Sequence, residues 1–146
     1  ALSKSYTKKQ NVITMHRGFH GRTFGALSVT SSNLTSKQNI SSLLPGVYFS
    51  EINDIESFKK LLTYQTSPDD TACVIYEPVQ GEGGIFSLEK SFLDEIHSIC
   101  KELNILTIAD EVQCGFGRTG NMWGSTTYNI EPDIIIVSKC IIISLC

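Results

Sequence analysis

Three short, nearly unbroken apolar runs constrain this chain more than any other feature: Cys73–Tyr76, Ile105–Ala109 and Ile134–Val137. Each is shorter than an ordinary helix and lacks the apolar–polar alternation of a half-exposed strand. Such runs suit strands of a parallel sheet that is covered on both faces. Between the first two lies a segment of different period. Ser91 can N-cap a helix over 92–103, where Phe92, Ile96, Ile99, Cys100 and Leu103 keep helical spacing. Asn104 is placed to end that helix. Strand, helix and strand in succession predict an α/β fold, a three-layer arrangement around a mainly parallel sheet.

The rest of the chain fits the same scheme. Val12–Met15 reads as a strand, followed by a glycine turn from Gly18 to Gly21 and a short helix near 23–29. The polar stretch 31–42 reads as a surface loop, and Val47–Phe49 as a short strand. Asn53 is placed to cap a helix over 55–62, and Ser67-Pro68-Asp69-Asp70 breaks the chain. No internal repeat or low-complexity tract interrupts the pattern.

Composition narrows the function classes. The apolar fraction is 41% and the mean hydropathy is +0.01, values of a soluble globular protein rather than a disordered one. A formal charge of −3 offers no nucleic-acid patch and no polybasic membrane anchor. Lys4, Lys8 and Lys9 read as a solvated helix face. The five cysteines include no CxxC pair, which argues against a disulfide scaffold or a zinc site and for a reducing compartment, cytoplasmic or mitochondrial. The apolar stretch 134–146 is interrupted by Lys139 and falls short of the roughly 20 residues of a bilayer span.

Ionisable residues sit where such a sheet would use them. Glu77 follows the first apolar run, Asp110 the second, and Lys139 comes one residue after Ser138, which follows the third. Open α/β sheets bind ligands beyond the carboxyl ends of their strands. Any one of these residues could simply close a strand; all three together form the pattern of a site.

The segment Ile108-Ala109-Asp110-Glu111-Val112-Gln113-Cys114-Gly115-Phe116-Gly117-Arg118-Thr119-Gly120, with Pro132-Asp133 and Lys139 downstream, closely resembles the lysine-site signature of class III aminotransferases. Phe19-His20-Gly21-Arg22-Thr23 and Glu77-Pro78-Val79-Gln80-Gly81-Glu82-Gly83-Gly84 resemble two further blocks of that family, in the family's order. The resemblance implies pyridoxal 5′-phosphate (PLP) as cofactor and a place within the large domain of a fold type I transferase. It implies that residues 1–146 are the central part of that domain, incomplete at both ends. Partners implied are a small-molecule amino donor and a 2-oxo acid, with a homodimer in the full-length form; neither nucleic acid nor membrane is expected.

The resemblance also implies roles. Lys139 is similar to the lysine that forms a Schiff base with the cofactor aldehyde and, once freed, moves a proton on the substrate carbon. A charged lysine in an apolar run is costly without such a purpose. Asp110 resembles the carboxylate that keeps the pyridine nitrogen protonated and so strengthens the ring as an electron acceptor. Gln113 resembles the amide that meets the cofactor 3-oxygen; an ordinary surface glutamine would look the same. Phe19 resembles the aromatic that stacks on the ring, although a core position would also hold it. His20 either lines the pocket or supports it from behind. Arg22 resembles the arginine that grips a substrate carboxylate by its bidentate fork. Glu82 resembles the glutamate that lies near the substrate in ornithine, acetylornithine and 4-aminobutyrate enzymes, and Glu77 flanks the same turn. Glu111 and Arg118 read as structural.

Two departures stand beside the match. After Lys139 the family continues with small residues and a glycine-rich turn, whereas this chain has Cys140-Ile141-Ile142-Ile143-Ser144-Leu145-Cys146. Upstream, the loop that holds the cofactor phosphate in the family has no counterpart here. The expectation is that these 146 residues alone bind PLP poorly. The leading reading is a transaminase moving an amino group between an ω-amino acid, 4-aminobutyrate-like or acetylornithine-like, and 2-oxoglutarate, with a slight lean to 4-aminobutyrate. The alternative is a truncated, non-catalytic member of the same family.

Overall fold

The computed structural model describes residues 1–40 and 42–138. Lys139 and the apolar tail that follows it lie outside the described residues. In chain order the elements are α1 (Leu2–Thr7), β1 (Asn11–Met15), α2 (Phe24–Val29), β2 (Val47–Ser50), α3 (Ile55–Tyr64), β3 (Thr71–Tyr76), β4 (Val79–Gln80), β5 (Phe86–Ser87), α4 (Lys90–Glu102), β6 (Leu106–Asp110), α5 (Gly124–Thr127) and β7 (Ile134–Ile136). A 3-10 turn over Leu34–Lys37 lies inside the predicted surface loop.

Five strands form one sheet in the order β2-β1-β3-β6-β7. All four of its pairings are parallel, as the apolar runs predict. The small hairpin β4–β5, not anticipated from sequence, stands apart as an antiparallel pair. Alternate residues of the central strands feed two cores. Ile13, Met15, Val74, Tyr76 and Ala109 pack with Phe58, Leu61, Phe92, Leu93 and Ile96 of α3 and α4. Val12, Cys73, Ile75 and Ile108 face the other way, against Val29 at the end of α2. Three layers result, and the five parallel strands have their carboxyl ends on one edge of the sheet.

Several local expectations need correction. Asp54, not Asn53, caps α3: its Oδ1 accepts the Ser57 amide at 3.0 Å. Asn53 has φ 57, a left-handed conformation that asparagine tolerates. Its side chain instead ties β5 to α4, donating to the Ser87 carbonyl at 3.3 Å and accepting the Glu89 amide at 2.8 Å. Helix α4 starts at Lys90, so Ser91 lies inside its first turn, and Glu89 occupies the cap position without a side-chain cap bond. The basic group near the start is not uniformly solvated. Lys9 Nζ donates to the carbonyls of Pro68, Leu103 and Asn104 at 3.0, 3.3 and 3.1 Å, the last two just past the end of α4. The run 134–137 is not a strand buried on both faces. Strand β7 is at the edge of the described sheet, and Ile135 and Val137 are exposed.

Candidate functional site at the carboxyl edge of the sheet

Register builds the site. Tyr76 lies opposite Ala109 in the β3–β6 pairing, so the next residues, Glu77 and Asp110, come side by side at the carboxyl edge. Asp110 is itself the last residue of β6 and pairs with Ile136 of β7. The loop after β1 brings Phe19 and His20 over the same edge.

Asp110 is fixed from two sides. Its Oδ1 accepts the amide of Val112 at 3.1 Å, an Asx turn two residues long. Its Oδ2 lies 2.8 Å from Nδ1 of His20, and because an ionised carboxylate only accepts, the ring nitrogen donates. The pair is dry: the side chains are 2% and 6% exposed for His20 and Asp110. His20 is anchored in turn, its amide donating to Thr30 Oγ1 at 2.9 Å and its Nε2 lying 3.4 Å from Thr14 Oγ1. The Thr14 hydroxyl donates to the Val29 carbonyl at 3.1 Å. Of the two sequence readings of His20, the geometry is that of support from behind the carboxylate.

Glu77 is 2% exposed and its Oε2 accepts the amide of Phe19 at 2.8 Å. Burial pushes its carboxyl up to about 7, against the downward pull of the Phe19 amide and of nearby His20; Asp110 adds to the rise, and the Gly81 amide opposes it. A buried acid that faces a backbone amide holds the half-buried Phe19 in place.

Gln113 comes from the loop after β6 and lies against the Glu77–Gly84 turn. A side-chain carbon added at Gly81 would overlap the Gln113 Oε1 atom, so glycine is what lets the two loops meet. Cys114 joins them as well: its Sγ donates to the Val79 carbonyl at 3.0 Å and accepts the Val79 amide at 3.3 Å. Burial raises the Cys114 thiol to about 12, which leaves it no nucleophilic character near neutral pH. An open groove of about 860 Å³ runs over this junction, lined by Gly81, Ile85, Val112, Gln113 and Arg118 among others.

The structure therefore brings Asp110, His20, Glu77, Phe19 and Gln113 to one edge. Arg22 and Glu82 are exposed and make no side-chain hydrogen bond or ion pair among the described residues. Sequence reasoning missed the amide of Val112, the Thr14–Thr30 support of His20 and the Cys114–Val79 tie. The first had a signal, since aspartate commonly bonds the amide two residues on. The others depend on how the loop after β1 folds back and on how two separate loops pack, and they have none.

The donor set suits a flat, electron-poor ring. Asp110 keeps a free lone pair on each oxygen beyond the bonds to His20 and Val112, enough to accept a ring N–H. Gln113 supplies an amide and Phe19 an aromatic face. These are the needs of the ring end of PLP, and the residues present fit it. No helix among the described residues is long and apolar enough to cross a membrane.

Comparison with known proteins agrees. Residues 1–142 match the family model described as "Aminotransferase class-III". The chain is 43% identical over 141 residues to the "Probable acetylornithine aminotransferase, mitochondrial" of Dictyostelium discoideum, covering 94% of this chain and 30% of that one. It is 41% identical over 128 residues to "Ornithine aminotransferase 1" of Staphylococcus saprophyticus, covering 88% and 31%. Among solved structures, a PLP-bound amine transaminase from an uncultivated Pseudomonas species is similar with a TM-score of 0.85 at 27% identity, over 94% of this chain and 35% of that one. The chain spans about a third of the length of the curated relatives it matches. With the fold, the carboxyl-edge cluster and these matches together, the chain belongs to the class III aminotransferase family.

Proposed function

We propose that these residues form the central part of the PLP-binding domain of a transaminase that moves an amino group between an ω-amino or acylated diamino acid and a 2-oxo acid such as 2-oxoglutarate. The observation that carries this is Asp110: a buried carboxylate at a parallel strand's carboxyl end, oriented on both oxygens and still able to accept. PLP, when bound, supplies an electron sink for the carbanion at the amino-bearing carbon. In this reading Asp110 holds the proton on the ring nitrogen, and His20 keeps the Asp110 carboxylate in position. Phe19 covers one ring face and Gln113 bonds the 3-oxygen. Lys139 anchors the cofactor and moves the proton on the substrate carbon. Arg22 takes a substrate carboxylate; Glu82 and Glu77 border the substrate side. Glu77 acts there through Phe19.

The names of the similar relatives weigh toward acetylornithine or ornithine as amino donor rather than 4-aminobutyrate. A homodimer is the assembly proposed for the whole protein. The reading is tested by supplying purified whole protein with PLP, 2-oxoglutarate and each donor in turn, and measuring glutamate. Glutamate formed with an acylated diamino acid supports it. The run Cys140–Cys146, which replaces a glycine-rich turn, favours a second reading, a non-catalytic family member. Absence of glutamate with every donor, although PLP is bound, would select that one.

A further inference from the structure

Glu111 is fully buried and carries no cationic partner among the described residues. A carboxylate in that position is costly unless its oxygens are hydrogen-bonded. Here three donors meet them: Oε2 accepts the Gly124 amide at 2.8 Å, and Oε1 accepts the Ser125 amide and the Ser125 hydroxyl, both at 2.8 Å. These donors lie at the start of α5, thirteen and fourteen residues further along the chain. The side chain thus closes the loop 112–123 at its base. Packing there is tight. A Cβ at Gly124 would come within 2.9 Å of the Cys114 Cβ, and one at Gly115 within 2.8 Å of the Glu111 carbonyl oxygen.

The backbone of the same residue faces the other way. The Glu111 amide donates to the Ile136 carbonyl of β7 at 2.9 Å, three residues before Lys139 in the sequence. Immediately after Glu111, the Val112 amide holds Asp110 Oδ1, and Asp110 Oδ2 holds His20. A loop closed at its base keeps the Val112 amide aimed; a loop released at α5 lets it turn away.

We propose that Glu111 is a positioning residue for the Asp110 carboxylate, acting through the closed loop and the Val112 amide. The proposal rests on the reading of Asp110 as the cofactor's partner. Glutamine has the shape of glutamate but must aim its NH₂ at a donor on one side, so E111Q loses at least one bond and S125A loses only the hydroxyl bond. The test is amide exchange and the His20 ring-nitrogen resonances by NMR, on the folded protein at one temperature. The expected result is exchange at Val112 faster by about tenfold in E111Q, the equivalent of one lost hydrogen bond, and by less in S125A. His20 ring signals shift in the same order. Faster exchange confined to Gly124 and Ser125, with His20 unchanged, overturns the proposal. If E111Q does not fold, S125A alone decides by the same two readouts. An absorbance titration of the unaltered whole protein with PLP tests the cofactor reading separately: no cofactor band alongside intact NMR coupling removes that reading and leaves the coupling standing.

Discussion

At Asp110 the carboxylate is committed before any ligand arrives. Val112 donates to one oxygen and His20 to the other, and each oxygen keeps a lone pair for a further donor. The sequence shows an acid at a strand end; it does not show that the histidine ninety residues earlier holds it. If Asp110 supplies charge rather than shape, Asp110→Asn should fold normally and lose turnover by about 10²-fold or more, the range of a removed proton-holding group; kcat of the whole protein checks this. Glu77 gives a pH prediction. Its folded value is about 7, above an ordinary glutamate, so the fold prefers the neutral form. Between about pH 4.5 and 7 the native state binds more protons than the unfolded chain, and stability falls as pH rises through that window. Glu77→Gln removes the cost. Urea midpoints should show the variant gaining on the unaltered protein by roughly 1–3 kcal/mol between pH 5 and pH 8.

At the scale of elements, helices and central strands were legible because burial writes their period into the sequence. In α4, Phe92, Ile96 and Cys100 recur at four-residue steps and all three are buried. Capping was less legible. Asn53 and Ser91 both have cap chemistry, yet Asp54 and the chain turn at Glu89 start the helices. Neighbouring residues compete for a cap, and tertiary contacts decide; Asn53 is taken by β5 and α4 instead. Ile96 is fully buried between α4 and the sheet, so Ile96→Ala should cost about 2–5 kcal/mol in urea unfolding. Gly81→Ala probes the junction of two loops. Gly81 has no positive φ, so alanine is free of backbone strain there. Its methyl should push the Gln113 amide aside, weakening PLP binding while leaving the melting temperature nearly unchanged. A PLP titration beside a thermal melt separates the two effects.

For the molecule as a whole, the parallel order β2-β1-β3-β6-β7 gathers residues from three distant motifs at one edge. Strand ends alone predicted Glu77 and Asp110 at that edge; Phe19 and His20 were expected there only from the resemblance of their motif, and Lys139 lies outside the described residues. The thin coverage of β7 was not predictable, because an apolar run reads the same in a central strand as at the edge of the described sheet. The central claim is that this edge, with Asp110 and Lys139, holds the cofactor. Its most direct test is to incubate the protein with excess PLP, reduce the lysine-bound cofactor to a stable amine and map the adduct by mass spectrometry. The expected result is one dominant adduct at Lys139 that is strongly diminished in Asp110→Ala. An adduct spread across the surface lysines such as Lys4, Lys8 and Lys60, indifferent to Asp110, would contradict it.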